Sequence, residues 1–127
     1  MLLRNLSSRR GLQGITEVTT DIILPPEQLE LVLSLTRAHL PGVEVLAYGS
    51  RVRGNPRRYS DLDLVAFTAP GQSLRANDLR EAFEESDLPI RVDLFLWDEI
   101  PDSFHRQIEQ EYAVLQRAGE SVATPTY

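Results

Sequence analysis

The chain has 127 residues, 42% of them hydrophobic and 25% charged, and carries a net charge of −6 at pH 7, as expected of one soluble domain with a modest core. No stretch approaches the roughly 18 consecutive apolar residues of a membrane span, and the opening MLLRNLSSRRGLQG lacks an apolar signal core, so a cytoplasmic protein is expected. There is no cysteine, and all 13 basic residues are arginine; disulfides, zinc–thiolate sites and a cysteine nucleophile are excluded, and phosphate can be held only by arginine forks, backbone N–H groups or metal.

Residues 1–24 read as a tail, with a short strand around Thr19 to Leu24. The domain proper is expected over 25–118, with a second tail at 119–127. Pro25 and Pro26 suit the first turn of a helix, where a missing N–H costs nothing. Leu29, Val32, Leu33, Thr36 and Leu40 then recur at helical spacing until Pro41-Gly42 ends the helix. VEVLAY (43–48) is a strand running into Gly49-Ser50, and DLDLVAF (61–67) is a second strand. The cluster Thr68 to Ser73 breaks the chain. A helix is expected over about 75–87, with Leu79, Ala82 and Phe83 on one face, closed by Pro89. IRVDLFLW (90–97) alternates, with Ile90, Val92, Leu94 and Leu96 on one side and Arg91, Asp93, Phe95 and Trp97 on the other. After Pro101 a last helix is expected to carry Phe104, Ile108, Tyr112 and Leu115 on one stripe and to end near Gly119. This order predicts an α+β (α/β-like) domain, a mixed sheet with helices mainly on one face.

The basic charge is local: residues 45–60 hold Arg51, Arg53, Arg57 and Arg58 and no acid. The overall acidity argues against a nucleic-acid-binding surface. Asp61 and Asp63, at i and i+2 of a strand, point to one face about 6.5–7 Å apart at Cα, and such carboxylates repel unless a cation lies between them. Asp93 faces away from the apolar set of its own strand. If the two strands are neighbours, three carboxylates converge. Hard oxygen ligands with open positions suit Mg²⁺, and two such ions would activate an attacking oxygen and stabilise a leaving pyrophosphate. His39 and His105 are isolated and read as surface or packing residues. Taken singly, the parts have bland readings: a turn at Asp61, a strand end at Gly-Ser, a solvated arginine loop. Their order carries the signal.

Gly49-Ser50, ten intervening residues and then Asp61-Leu62-Asp63 resemble the GSx10DxD signature of the DNA polymerase β-type nucleotidyltransferase superfamily. Tyr48 before the glycine and Ser60 before the first aspartate match its flanks, and Asp93 stands about thirty residues on, where a third carboxylate is expected. The resemblance spans roughly residues 27–117. The small size is similar to the minimal nucleotidyltransferases (MNT proteins), which are paired with HEPN-domain ribonuclease toxins. It implies a polymerase β-type core and an antitoxin that moves AMP from ATP to a tyrosine of the HEPN partner. It also implies that Asp61 and Asp63 hold Mg²⁺, that Asp93 completes the second metal site as ligand or base, and that Gly49 and Ser50 hold the β- and γ-phosphates. Charge and position add Arg51 or Arg53 as a neutraliser of the departing pyrophosphate. A homo-oligomer and a hetero-oligomer with the toxin are both compatible. Two alternatives stay open: a non-catalytic antitoxin that masks its partner, and transfer to a small molecule or RNA.

Overall fold

The computed structural model describes residues 22–54 and 56–119. Helix α1 (Pro26–His39) begins on its proline pair and stops where the Leu40 N–H reaches Thr36 O. Strand β1 (Val45–Tyr48) leads through Gly49 into one short helical turn, α2 (Ser50–Arg53). Next come β2 (Leu62–Ala66), α3 (Ser73–Glu85), β3 (Val92–Leu96), a turn of 3-10 helix (Trp97–Glu99), α4 (Asp102–Gln110) and β4 (Ala113–Gln116).

The strands form one mixed sheet in the order β3-β2-β1-β4. β1 is antiparallel to both β2 and β4, whereas β2 and β3 run parallel across the α3 crossover. Alternation assigns the two faces. Val45 and Ala47, Leu62, Leu64 and Ala66, and Leu94 and Leu96 enter the main core with residues of α1 and α3 such as Val32 and Leu79. Leu46, Tyr48 and Val65 point the other way, into a smaller cluster closed by Trp97 and Ile108 of α4. Burying each large apolar side chain of the main core contributes about 2 kcal/mol. The aspartates occupy the face of the smaller cluster.

Two expectations are corrected. Of the short strand expected around Thr19 to Leu24, residues 19–21 lie outside the described residues, and 22–24 form no strand. Instead the Ile23 N–H donates to Arg51 O at 2.7 Å. The expected last helix is also too long: α4 ends at Gln110, Glu111 is extended (φ −156°, ψ 114°), and residues 113–116 are a strand. Phe104 is 38% exposed, whereas Ala113 and Leu115 are buried. The open flank of β1 needs backbone partners, and β4 supplies them. Gln116 secures the strand from its side chain, whose Nε2 donates to Leu40 O and Val43 O, each at 2.7 Å. The tail expected at 119–127 lies beyond the described residues, except for Gly119, whose N–H reaches Gly42 O.

Candidate active site

Of the expected site residues, Gly49, Ser50, Asp61, Asp63 and Asp93 lie at one end of the sheet. Asp63 pairs in register with Tyr48 on one side and Asp93 on the other. Asp61 lies exposed just ahead of β2, whose first N–H, from Leu62, donates to Arg91 O on the neighbouring strand at 2.9 Å. The convergence therefore follows from strand order: parallel pairing of β2 and β3 sets the two aspartates side by side on the less covered face.

Gly49 makes this arrangement possible. Its φ of 88° and ψ of −159° lie in a region essentially reserved for glycine. A Cβ at this position would stand 2.6 Å from Asp63 Oδ2, so the residue is fixed by both backbone shape and a close carboxylate. The chain then turns at once into α2, where the Val52 and Arg53 N–H groups close on Gly49 O.

Electrostatics mark Asp63 as the stressed member. Its carboxyl is pushed up to about 6, first by burial and then by the charges of Asp93 and Asp61; Arg53 and Arg91 oppose the shift. Burial also drives the Tyr48 phenol above its ordinary range, and the same two carboxylates, Asp63 and Asp93, add to it. Tyr48 thus keeps its proton beside the acidic group. Arg91 holds Asp93 through an ion pair, Nε to Oδ1 at 2.9 Å, although its own side chain is 73% exposed. Among the described residues no three acidic or histidine side chains are gathered closely enough to cage a metal as they stand. The donor set nevertheless fits Mg²⁺. It is all carboxylate oxygen, and the mutual repulsion that raises Asp63 is what a divalent cation would relieve.

The arginines expected at the site separate. Arg53 is exposed and borders a cleft of about 220 Å³ with Tyr48, Gly49, Gln107, Gln110 and Glu111. Arg51 is only 5% exposed, and its guanidinium donates to four main-chain carbonyls. It is therefore not placed as the phosphate contact that charge and position suggested. Ser50 opens α2 beside Gly49, as the motif requires. A second cleft of about 370 Å³ follows the outer edge of β3 and is lined by Asp93, Arg91 and Arg80 among others. There Arg80 donates through Nε and Nη2 to Leu94 O, capping part of the open strand edge. Neither the Gln107–Glu111 wall nor the Arg91–Asp93 pair was foreseen from the sequence. The first depends on where α4 ends; the second had a local signal, Arg91 two residues before Asp93. His105 packs as expected, its ring stacked on Trp97 at 3.8 Å with Nε2 2.7 Å from Trp97 O.

Residues 29–115 match the family model described as the nucleotidyltransferase domain. The chain belongs to that family. This nucleotidyltransferase is 41% identical over 101 residues to the probable protein adenylyltransferase MntA of Haemophilus influenzae, covering 79% of this chain and 89% of the relative. Its fold resembles a crystal structure of a toxin-antitoxin with AMP-PNP (TM-score 0.59, 20% identity, 72% of this chain and 75% of that one). A mutant of the toxin-antitoxin MntA-HpeT is similar at a TM-score of 0.58 and 18% identity, with the same coverage. At such identities the solved structures establish the α+β fold of this nucleotidyltransferase. Among its described residues no helix is long and apolar enough to cross a membrane.

Proposed function

We propose that this nucleotidyltransferase is a protein adenylyltransferase that moves AMP from ATP to a tyrosine hydroxyl of a HEPN-type toxin and thereby acts as its antitoxin. The observation that carries the reading is Gly49 seated against Asp63 with Asp93 in register beside it. The relative named as a probable protein adenylyltransferase supports adenylyl transfer to protein, and the folds found in toxin-antitoxin structures support the partner class.

In the reaction, the acceptor oxygen forms a bond to the α-phosphorus as the bond from that phosphorus to the pyrophosphate oxygen breaks. Gly49, lacking a side chain, lets the backbone approach the β- and γ-phosphates, and Ser50 adds a hydroxyl. Asp61, Asp63 and Asp93 would hold two Mg²⁺ ions, which when bound neutralise the triphosphate and make the attacking hydroxyl more acidic. In this reading Asp93 receives the hydroxyl proton, and Arg53, which borders the cleft, offsets charge on the departing pyrophosphate. The protein's contribution is position and charge rather than a covalent intermediate.

The test combines this chain, ATP, Mg²⁺ and a co-expressed HEPN-type toxin. The toxin's mass should rise by one or more AMP units, and the rise should vanish with the Asp61→Asn, Asp63→Asn double variant while its circular dichroism matches the parent. An inhibited but unmodified toxin would replace catalysis by steric masking. AMP appearing on RNA or a small molecule would move the acceptor to another class.

A further inference from the structure

We infer that Arg51 is a positioning residue of the active site: its buried guanidinium sets the loop that carries Asp61 against the Gly49-Ser50 turn. Residues 56–61, ahead of β2, have to deliver Asp61 to a fixed place although Arg57, Arg58 and Tyr59 among them are exposed. Arg51 reaches their main chain. Nε donates to Ser60 O at 3.0 Å, and Nη2 donates to Arg58 O at 3.0 Å and Arg57 O at 3.3 Å. The third nitrogen, Nη1, donates to Ile23 O at 2.9 Å. In return the Ile23 N–H donates to Arg51 O at 2.7 Å, so the segment ahead of α1 is clamped to the same residue at two points.

Four carbonyls around one planar cation form a rigid junction, because the guanidinium presents its N–H groups in a fixed fork. The junction joins three parts of the chain: the phosphate-facing turn, the last residues before Asp61, and the entry to α1. Within the loop a second contact points the same way, since Ser60 Oγ accepts from the Arg57 N–H at 2.8 Å. Arg51 therefore acts through the loop and not on the substrate. A lysine could not replace it, since one ammonium has neither the plane nor the reach to serve carbonyls on separate segments.

The proposal rests on the functional reading for Asp61 as a metal ligand and for its assay. The full chain is compared as parent, Arg51→Lys, Arg51→Ala and Ser60→Ala, with melting followed by circular dichroism and transfer followed at varied Mg²⁺ and varied ATP. Groups that orient metal ligands typically contribute 10–100-fold to metal affinity or activity. Arg51→Lys should therefore raise the Mg²⁺ concentration for half-maximal transfer by roughly 10–100-fold, with a much smaller change in KM for ATP at saturating Mg²⁺. Ser60→Ala, which removes the acceptor of the Arg57 N–H, should move the same midpoint in the same direction by less. Added ethylguanidinium should restore part of the transfer lost in Arg51→Ala and do nothing for Arg53→Ala. A folded Arg51→Lys with the parent's Mg²⁺ midpoint overturns the proposal, as does a loss confined to KM for ATP. If Arg51→Ala fails to fold, Arg51→Lys and Ser60→Ala still decide. No transfer by the parent would refute the functional reading, and the Mg²⁺-induced rise in melting temperature, which should need roughly 10–100-fold more Mg²⁺ in Arg51→Lys than in the parent, would still decide the proposal.

Discussion

The two faces of the sheet use the same strands for opposite ends. On β2, Leu62, Leu64 and Ala66 are fully buried under α1 and α3, whereas Asp63, between them, is only partly covered and looks onto Tyr48 and Asp93. Alternation guarantees that whatever positions the leucines also positions the aspartate. The main core supplies most of the free energy and the smaller apolar cluster on the other face adds to it; the repelling carboxylates beside that cluster contribute none. A site of this kind is therefore a local cost carried by a core one residue away in sequence.

That division predicts separable damage. The largest effect on stability should come from Leu64→Ala, which empties a fully buried position in the main core. It should lower the unfolding free energy by about 3 kcal/mol in urea titration, while any folded fraction still binds nucleotide. Parent-like stability with lost activity would reverse the assignment of the faces. Gly49→Ala comes next, at about 2 kcal/mol for a side chain at a glycine-only backbone conformation. Because its Cβ would also strike Asp63 Oδ2, transfer should fall far more than stability does. A variant that melts low yet works normally would detach Gly49 from the site.

The sequence revealed the arrangement of the candidate site more readily than the fold's margin. GSx10DxD fixes a spacing, and spacing survives translation into structure: Gly49, Asp63 and Asp93 do come together. The end of α4 was hidden because Phe104, Ile108 and Tyr112 satisfy helical periodicity, yet the flank of β1 captures residues 113–116. That competition is decided by tertiary pairing, which a local pattern does not contain. The placements of Arg51 and Arg53 were equally hidden. Two arginines two residues apart look alike in a sequence, but α2 turns one into the interior among carbonyls and leaves the other at the cleft.

A smaller effect separates the faces by pH. Burial and the charges of Asp93 and Asp61 push the carboxyl of metal-free Asp63 up to about 6, well above the usual carboxylate range. The folded state therefore binds the proton more tightly than the unfolded chain, and this group's share of stability grows as pH falls through 6 and is lost as pH rises through it. Asp63→Asn should remove that slope. At pH 7, in EDTA, it should melt higher than the parent by about 1 kcal/mol once solvent screening of a partly exposed carboxylate is discounted. Equal or lower stability at pH 7 would show that the carboxylate is not under strain in the fold.

The smallest expected change belongs to Arg91, and it tests whether the acidic face is tuned or merely assembled. Arg91 is largely exposed, so its ion pair with Asp93 should not support the fold measurably, and Arg91→Gln should melt with the parent. Its charge, however, is one of the two that hold Asp63 down against burial and carboxylate repulsion. Without it, the pKa of metal-free Asp63 should move further upward, visible as the carboxyl's titration by NMR. The same loss leaves more uncompensated negative charge for a cation, and frees the Asp93 oxygen now taken by Nε. The Mg²⁺ concentration for half-maximal transfer should therefore fall by a factor of roughly two to five, the scale of an exposed ion pair. A rise would mean that Arg91 orients Asp93 for the metal instead of competing with it.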